Sequence, residues 1–234
     1  MKTKNLNSEL AVSLRQFVEP WYEKYAQSLN AMKLFTAHEQ LTKEQQIYFV
    51  QLVYHLYRLS SQEILWYLGN HAPNLTIKQS IIDNIREEMG GAGRSHEEMY
   101  HNFAVAVGID IKSKYFMDDT YPSFVSGYKR GWIEWLQSGE DQDTHSIACL
   151  LSAWEKLDNV DFLALLRVAE TFNVPQNALT FFKVHCEAKH FEIMEPVLLP
   201  LWEKNSQKVE EIFQFVSQYE LKMRQQLSDA VCNS

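Results

Sequence analysis

Glycine and proline are scarce, eight and six in 234 residues, too few for the many turns of an all-β chain. The three cysteines, Cys149, Cys186 and Cys232, are an odd number without metal-ligand spacing, which argues against a disulfide framework. No apolar run approaches the ~18–20 residues that span a bilayer, so no membrane partner is expected. The first residues, MKTKNLNSELAVSLRQF, alternate polar and apolar without a continuous apolar stretch, and no signal peptide is expected. Basic charge is also in deficit: 22 Lys and Arg against 30 Asp and Glu leave a formal charge of −8. The cations are scattered rather than gathered into a stripe, so nucleic acid is not an expected partner. A soluble, cytoplasmic protein is the expectation.

What is present is apolar mass at helical spacing. With 46% hydrophobic and 13% aromatic residues, the chain can bury a full core, and apolar positions recur at three- and four-residue steps throughout. This pattern predicts an all-α fold, with helices at 8–29, 42–69, 76–89, 96–108, 122–137, 144–172, 176–194 and 201–229. Thr42 with Gln45, Thr76 with Gln79 and Ser95 with Glu98 have the form of capping boxes. Pro122 and Pro175 suit helix starts, and Pro196 with Pro200 should break or kink the chain before the last helix. No linker, repeat or low-complexity tract divides the chain, so residues 1–234 are expected to form a single helical domain. The aromatics read as core.

Polar residues on the apolar faces carry the functional signal. In REEMGGAGRSHEEMYHNF, residues 86–103, a helix ends in two acids and a glycine-rich turn precedes a histidine. A helix advances about 100° per residue, which aligns Glu88 with Ile77, Ile81 and Ile85 and sends Glu87 to solvent. Ser95 as an N-cap places His96 in line with Tyr100, Phe103, Ala104 and Val107. The turn at Gly90, Gly91 and Gly93 then lets Glu88 and His96 converge. Glu155 aligns with Ala148, Leu151, Phe162 and Leu166; His185 aligns with Phe181, Phe182, Ala188 and Glu192, with Lys189 at the edge of that face. Glu63, in phase with Leu52, Leu56, Leu59 and Tyr67, is a further inward acid. An ionised carboxylate in an apolar interior costs several kcal/mol unless paired, protonated or metal-bound. Glu and His from several helices are the ligand types that hold iron, manganese or zinc in bundle cores.

A competing metal pattern is Glu98-x-x-His101 with Glu187-x-x-His190, which imitates a ferritin-like di-iron bundle. Phase opposes it, because both pairs fall on faces that read as solvated.

The order of these residues resembles the haem-oxygenase-like di-metal oxidases and oxygenases, nearest the branch of the Chlamydia protein associating with death domains. The segments that carry the likeness are NIREEMGGAGRSHEEMYHNFAVAVG, LLSAWEKLDNVDFLALL and FFKVHCEAKHFEIMEP, between about residues 84 and 196. The resemblance implies a haem-oxygenase-like bundle of seven to eight helices that holds iron or manganese and no haem. Carried over by position, the implied metal ligands are Glu88, His96, Glu155 and His185. The chain departs from the pattern further on, with Lys189 where the family has Asp and Glu192 where it has His. Glu192 can still serve as a ligand, whereas Lys189 could pair with Glu155 or Glu192 and replace one ion. Tyr100, Trp154 and Glu63 are expected to line or tune the pocket. The implied activity is dioxygen-dependent oxidation of a small molecule, related in that branch to para-aminobenzoate formation, and family habit suggests a homodimer. The alternative is a degenerate relative, with an incomplete metal site or none, that binds a partner. A cofactor-independent enzyme on the same fold ranks last, because Cys149 and Cys186 have no evident activating base.

Overall fold

Local signals set the helix starts. Thr42 and Ser95 each form a complete capping box, with Gln45 and Glu98 reaching back to the cap. The third expected box does not form: Asn74, two residues before Thr76, accepts from the Ile77 amide and starts the helix at Leu75. In the computed structural model, which describes residues 2–91, 93–111, 122–138, 144–188 and 190–234, ten α-helices follow. They are α1 (Lys2–Asn30), α2 (Lys33–Thr36), α3 (Lys43–Val53), α4 (Ser61–His71), α5 (Leu75–Glu88), α6 (His96–Val107), α7 (Ser123–Ser138), α8 (Thr144–Glu170), α9 (Thr180–Glu187) and α10 (His190–Cys232). No strand occurs among the described residues.

Two features depart from the regular periodicity. Residues Tyr54–Ser60, between α3 and α4, form a π-helix, a geometry that widens the turn and often accompanies functional sites. The helix expected over 176–194 is broken at Ala188, whose ψ of 141° is extended, so α9 ends and α10 begins there. Pro196 and Pro200 are accommodated inside α10, and its one non-helical residue is Asn205 (φ −161°, ψ 81°).

Helix α8 lies at the centre, packed against α10, α9, α1 and α2. Its Cys149, Leu150, Ala153, Leu157, Ala164 and Leu165 are fully buried, as expected of a helix with apolar residues on most of its circumference. A buried polar network ties it to its neighbours. Arg224 of α10 donates through Nε and Nη2 to Asp161 of α8 at 2.9 and 2.7 Å, and its Nη2 also lies 2.5 Å from Glu220. Tyr25 of α1 donates to Asp161, and Tyr128 of α7 to Glu220. Four helices are thereby fixed relative to one another without exposing the charges.

Candidate metal centre

The turn between α5 and α6 builds the first half of the site. Gly90 adopts φ +85°, and a Cβ there would lie 2.7 Å from the Ser95 nitrogen, so the tight reversal requires glycine. It brings Glu88, at the end of α5, and His96, in the first turn of α6, into contact, with His96 Nδ1 2.6 Å from Glu88 Oε1. From α9, His185 places Nε2 3.6 Å from the same oxygen. One ligand atom from each of Glu88, His96 and His185 lies within 4.8 Å of the others, and no other such group occurs among the described residues.

The imidazole of His185 is fixed by a hydrogen bond at one edge and by ring stacking on one face. Its Nδ1 lies 2.7 Å from the Phe181 carbonyl; a carbonyl can only accept, so Nδ1 carries the hydrogen and Nε2 of the neutral ring presents its lone pair to the site. Phe162 stacks on the ring with centroids 3.9 Å apart. Asn159 of α8 donates to the carbonyls of His185 and Ala188, both at 2.9 Å, and so secures the backbone where α9 ends. Burial lowers the pKa of His185, an effect partly offset by Glu88. For Glu88 burial acts in the opposite sense, but its interactions with the His185 and His96 imidazoles outweigh it and hold the carboxyl well below the usual range.

The π-helix supplies the supporting groups. Arg58, only 3% exposed, donates through Nη1 to Glu88 Oε2 at 2.8 Å and through Nε to Glu97 at 3.0 Å. Tyr54 donates to the other oxygen of Glu97 at 2.8 Å. Arg58 thus orients Glu88 so that Oε1 faces the imidazoles.

Two spaces meet at His185. On the outside lies an open cleft of about 500 Å³ lined by His96, His185, Glu87, Glu187, Glu192 and Ile193, among others. On the inside lies a chamber of about 30 Å³, bounded by Tyr57, Glu88, Trp154, Glu155, Asp158 and His185 with neighbouring side chains. Burial, with the nearby charges of Glu155 and Asp161, raises the pKa of Asp158 well above the usual carboxylate range.

The structure brings together Glu88, His96 and His185 of the residues singled out in the sequence. Glu155 is buried and accepts from Asn84, but it belongs to the inner chamber rather than to the triad, as does Trp154. Glu192 is exposed at the rim of the outer cleft, because the break at Ala188 removes it from the helical phase of His185. Lys189 lies outside the described residues. Glu63 is a correction: it is exposed and pairs with Lys129, since the π-helix shifts the phase that an unbroken α-helix would have given it. Tyr100 is fully buried, donates to the Val50 carbonyl at 2.7 Å and packs against Phe181 and Tyr54; it supports the pocket from behind instead of lining it. In the competing pattern, Glu98 closes the Ser95 capping box and Glu187 is exposed. Burial pushes the Cys186 thiol up to about 11, which makes it a poor nucleophile.

Arg58, Tyr57 and Asp158 were not found by phase. Arg58 had one sequence signal, a lone cation in the otherwise apolar and aromatic run YHLYRL. For Asp158 the signal was its spacing one helical turn after Glu155.

A family model described as iron-containing redox enzyme matches residues 47–219. No curated protein matches the chain. Among solved structures, two crystal structures of a CADD-like protein of unknown function from Nostoc punctiforme are similar. Each has a TM-score of 0.68 at 15% identity; one alignment covers 95% of this chain and 97% of the other, the second 94% and 99%. At that identity the likeness speaks to the fold: an all-α, haem-oxygenase-like bundle.

Proposed function

Because the chain belongs to the family of iron-containing redox enzymes, we propose that Glu88, His96 and His185 hold an iron ion used to oxidise a small organic molecule with dioxygen. The observation that carries this reading is the convergence of two imidazoles and one carboxylate, from three helices, within 4.8 Å. Two His and one carboxylate are the donor set of non-haem Fe(II) oxygenases, and they leave coordination positions open. When bound, the metal supplies the activation of dioxygen. The protein's own part is to orient and to exclude water. Arg58 fixes the Glu88 carboxylate, the Phe181 carbonyl sets the tautomer of His185, and Phe162 covers one face of that ring. The outer cleft is large enough for a small organic substrate.

Anaerobic loading with ferrous ion, followed by dioxygen uptake with ascorbate as reductant, tests the reading. Wild type should consume dioxygen faster per iron than free ferrous ion does, and His185→Ala should not. Equal uptake by the two proteins would contradict it. The alternative, a metal-free binding protein, has one observation in its favour: Arg58 already compensates the charge of Glu88. Failure of wild type to retain ferrous ion would favour that alternative.

A further inference from the structure

Trp154 has no part in the reading above. It is only 4% exposed and lines the inner chamber together with Glu88 and His185, so its side chain shares a small cavity with two of the proposed ligands. Its ring neighbour is Trp132 of α7, with centroids 6.4 Å apart. Trp132 is fully buried and meets Phe215 and Tyr219 of α10 edge-on, at 5.7 and 5.2 Å. Phe215 in turn stacks on Trp135 at 4.4 Å. Trp135 stands one helical turn after Trp132 and is half-buried. A continuous series of ring contacts thus runs from the chamber to the surface.

Aromatic contacts in a bundle core are ordinary packing, and Trp132 provides an independent indication. Its indole N–H is buried and has no hydrogen bond of normal geometry, although oxygens of Tyr128 and Glu220 are near it. Buried donors are nearly always partnered, and a phenyl ring would occupy the place without leaving one. The indole therefore points to a use besides volume. What it offers over phenyl is oxidation by one electron, because the radical left behind is delocalised over two rings. Electron tunnelling falls off exponentially with distance, so rings near contact exchange an electron rapidly.

Resting on the iron reading above, we propose that Trp154, Trp132 and Trp135 form a relay that passes single electrons from the surface to the iron centre when dioxygen reacts there with no organic substrate bound. Each step moves one electron. Trp154 gives one to the oxidised centre and is refilled from Trp132, Trp132 is refilled from Trp135 across Phe215, and Trp135 from an external reductant such as ascorbate. Dioxygen takes up four electrons and four protons on its way to two waters, and two ascorbates supply both. The relay thereby removes oxidising equivalents that would otherwise damage the ligand imidazoles. Without a reductant the deficit stays on Trp135, which loses two electrons, takes the oxygen of one water and releases two protons to become hydroxytryptophan.

Full-length protein loaded anaerobically with ferrous ion and exposed to dioxygen without ascorbate tests it, with bound iron and dioxygen uptake recorded on the same samples and oxidised residues located by peptide mass spectrometry. Wild type should show hydroxylation concentrated at Trp135, and added ascorbate should abolish it. Trp132→Phe should lose hydroxylation at Trp135 and show it at Trp154 instead. Trp135→Phe, at a half-buried position, serves if Trp132→Phe does not fold, and it should shift the damage inward to Trp132. Trp66 of α4, 48% exposed, is the control for oxidants that diffuse through solvent. Three results, obtained with iron bound and dioxygen consumed, would overturn the relay and leave the iron reading standing: Trp66 hydroxylated as heavily as Trp135, hydroxylation that neither variant moves, or no oxidised tryptophan. Failure to retain iron would overturn both.

Discussion

At the scale of single residues, the site depends on a buried guanidinium that no metal-ligand pattern contains. Arg58 places its charge between Glu88 and Glu97; the guanidinium and Glu88 are largely buried, while Glu97 is about a third exposed. Removing one partner of a buried pair leaves the other charge desolvated and uncompensated. Arg58→Met keeps much of the stem and removes the charge, and it should destabilise the metal-free protein by about 3 kcal/mol in urea unfolding at neutral pH. A loss below about 1 kcal/mol, the range of exposed pairs, would show that His96 and His185 suffice to hold Glu88. The same substitution frees Glu88 Oε2, so the orientation of the carboxylate, and not only stability, should be disturbed.

At the scale of elements, what could be read from the sequence follows the regularity of each helix. Glu88 and His96 lie on α5 and α6, which keep α-helical phase up to a capped end, and apolar alignment placed both correctly towards the interior. His185 sits within α9, before its break, and was equally legible. Glu63 was not: the π-helix at Tyr54–Ser60 rotates everything after it, and nothing in apolar spacing marks an i→i+5 turn. Glu192 failed for a related reason, the extended residue at Ala188, which no proline or glycine announces. That break is held by Asn159, which satisfies two carbonyls from a neighbouring helix. Asn159→Ala should therefore cost about 1–3 kcal/mol, and it should speed amide hydrogen exchange at the C-terminal end of α9 more than in α5. Uniform acceleration across the molecule would argue that Asn159 acts on global stability alone.

At the scale of the whole molecule, the buried network and the candidate centre both adjoin α8, which gives Asp161 to the first and packs Asn159 and Phe162 against His185 of the second. Burial pushes the Glu220 carboxyl up to about 7 from an ordinary value of 4.5; Arg224 opposes the shift and Asp161 adds to it. A carboxyl raised by folding binds its proton more tightly in the native state. The stability it lends is complete below about pH 4.5 and is lost as pH rises through about 7. Glu220→Gln should remove this slope, so that stability between pH 5 and pH 8 falls by about 3 kcal/mol less than in wild type. Asp158, raised in the same direction, leaves a residual slope, and an unaltered slope in Glu220→Gln would refute the assignment. The bundle places two imidazoles and a carboxylate where one iron ion can be held. Crystals of the iron-loaded protein, measured for anomalous scattering at the iron edge, test that claim most directly. The account predicts a peak bounded by Glu88, His96 and His185; a peak located instead among Glu98, His101, Glu187 and His190, or none at all, would contradict it.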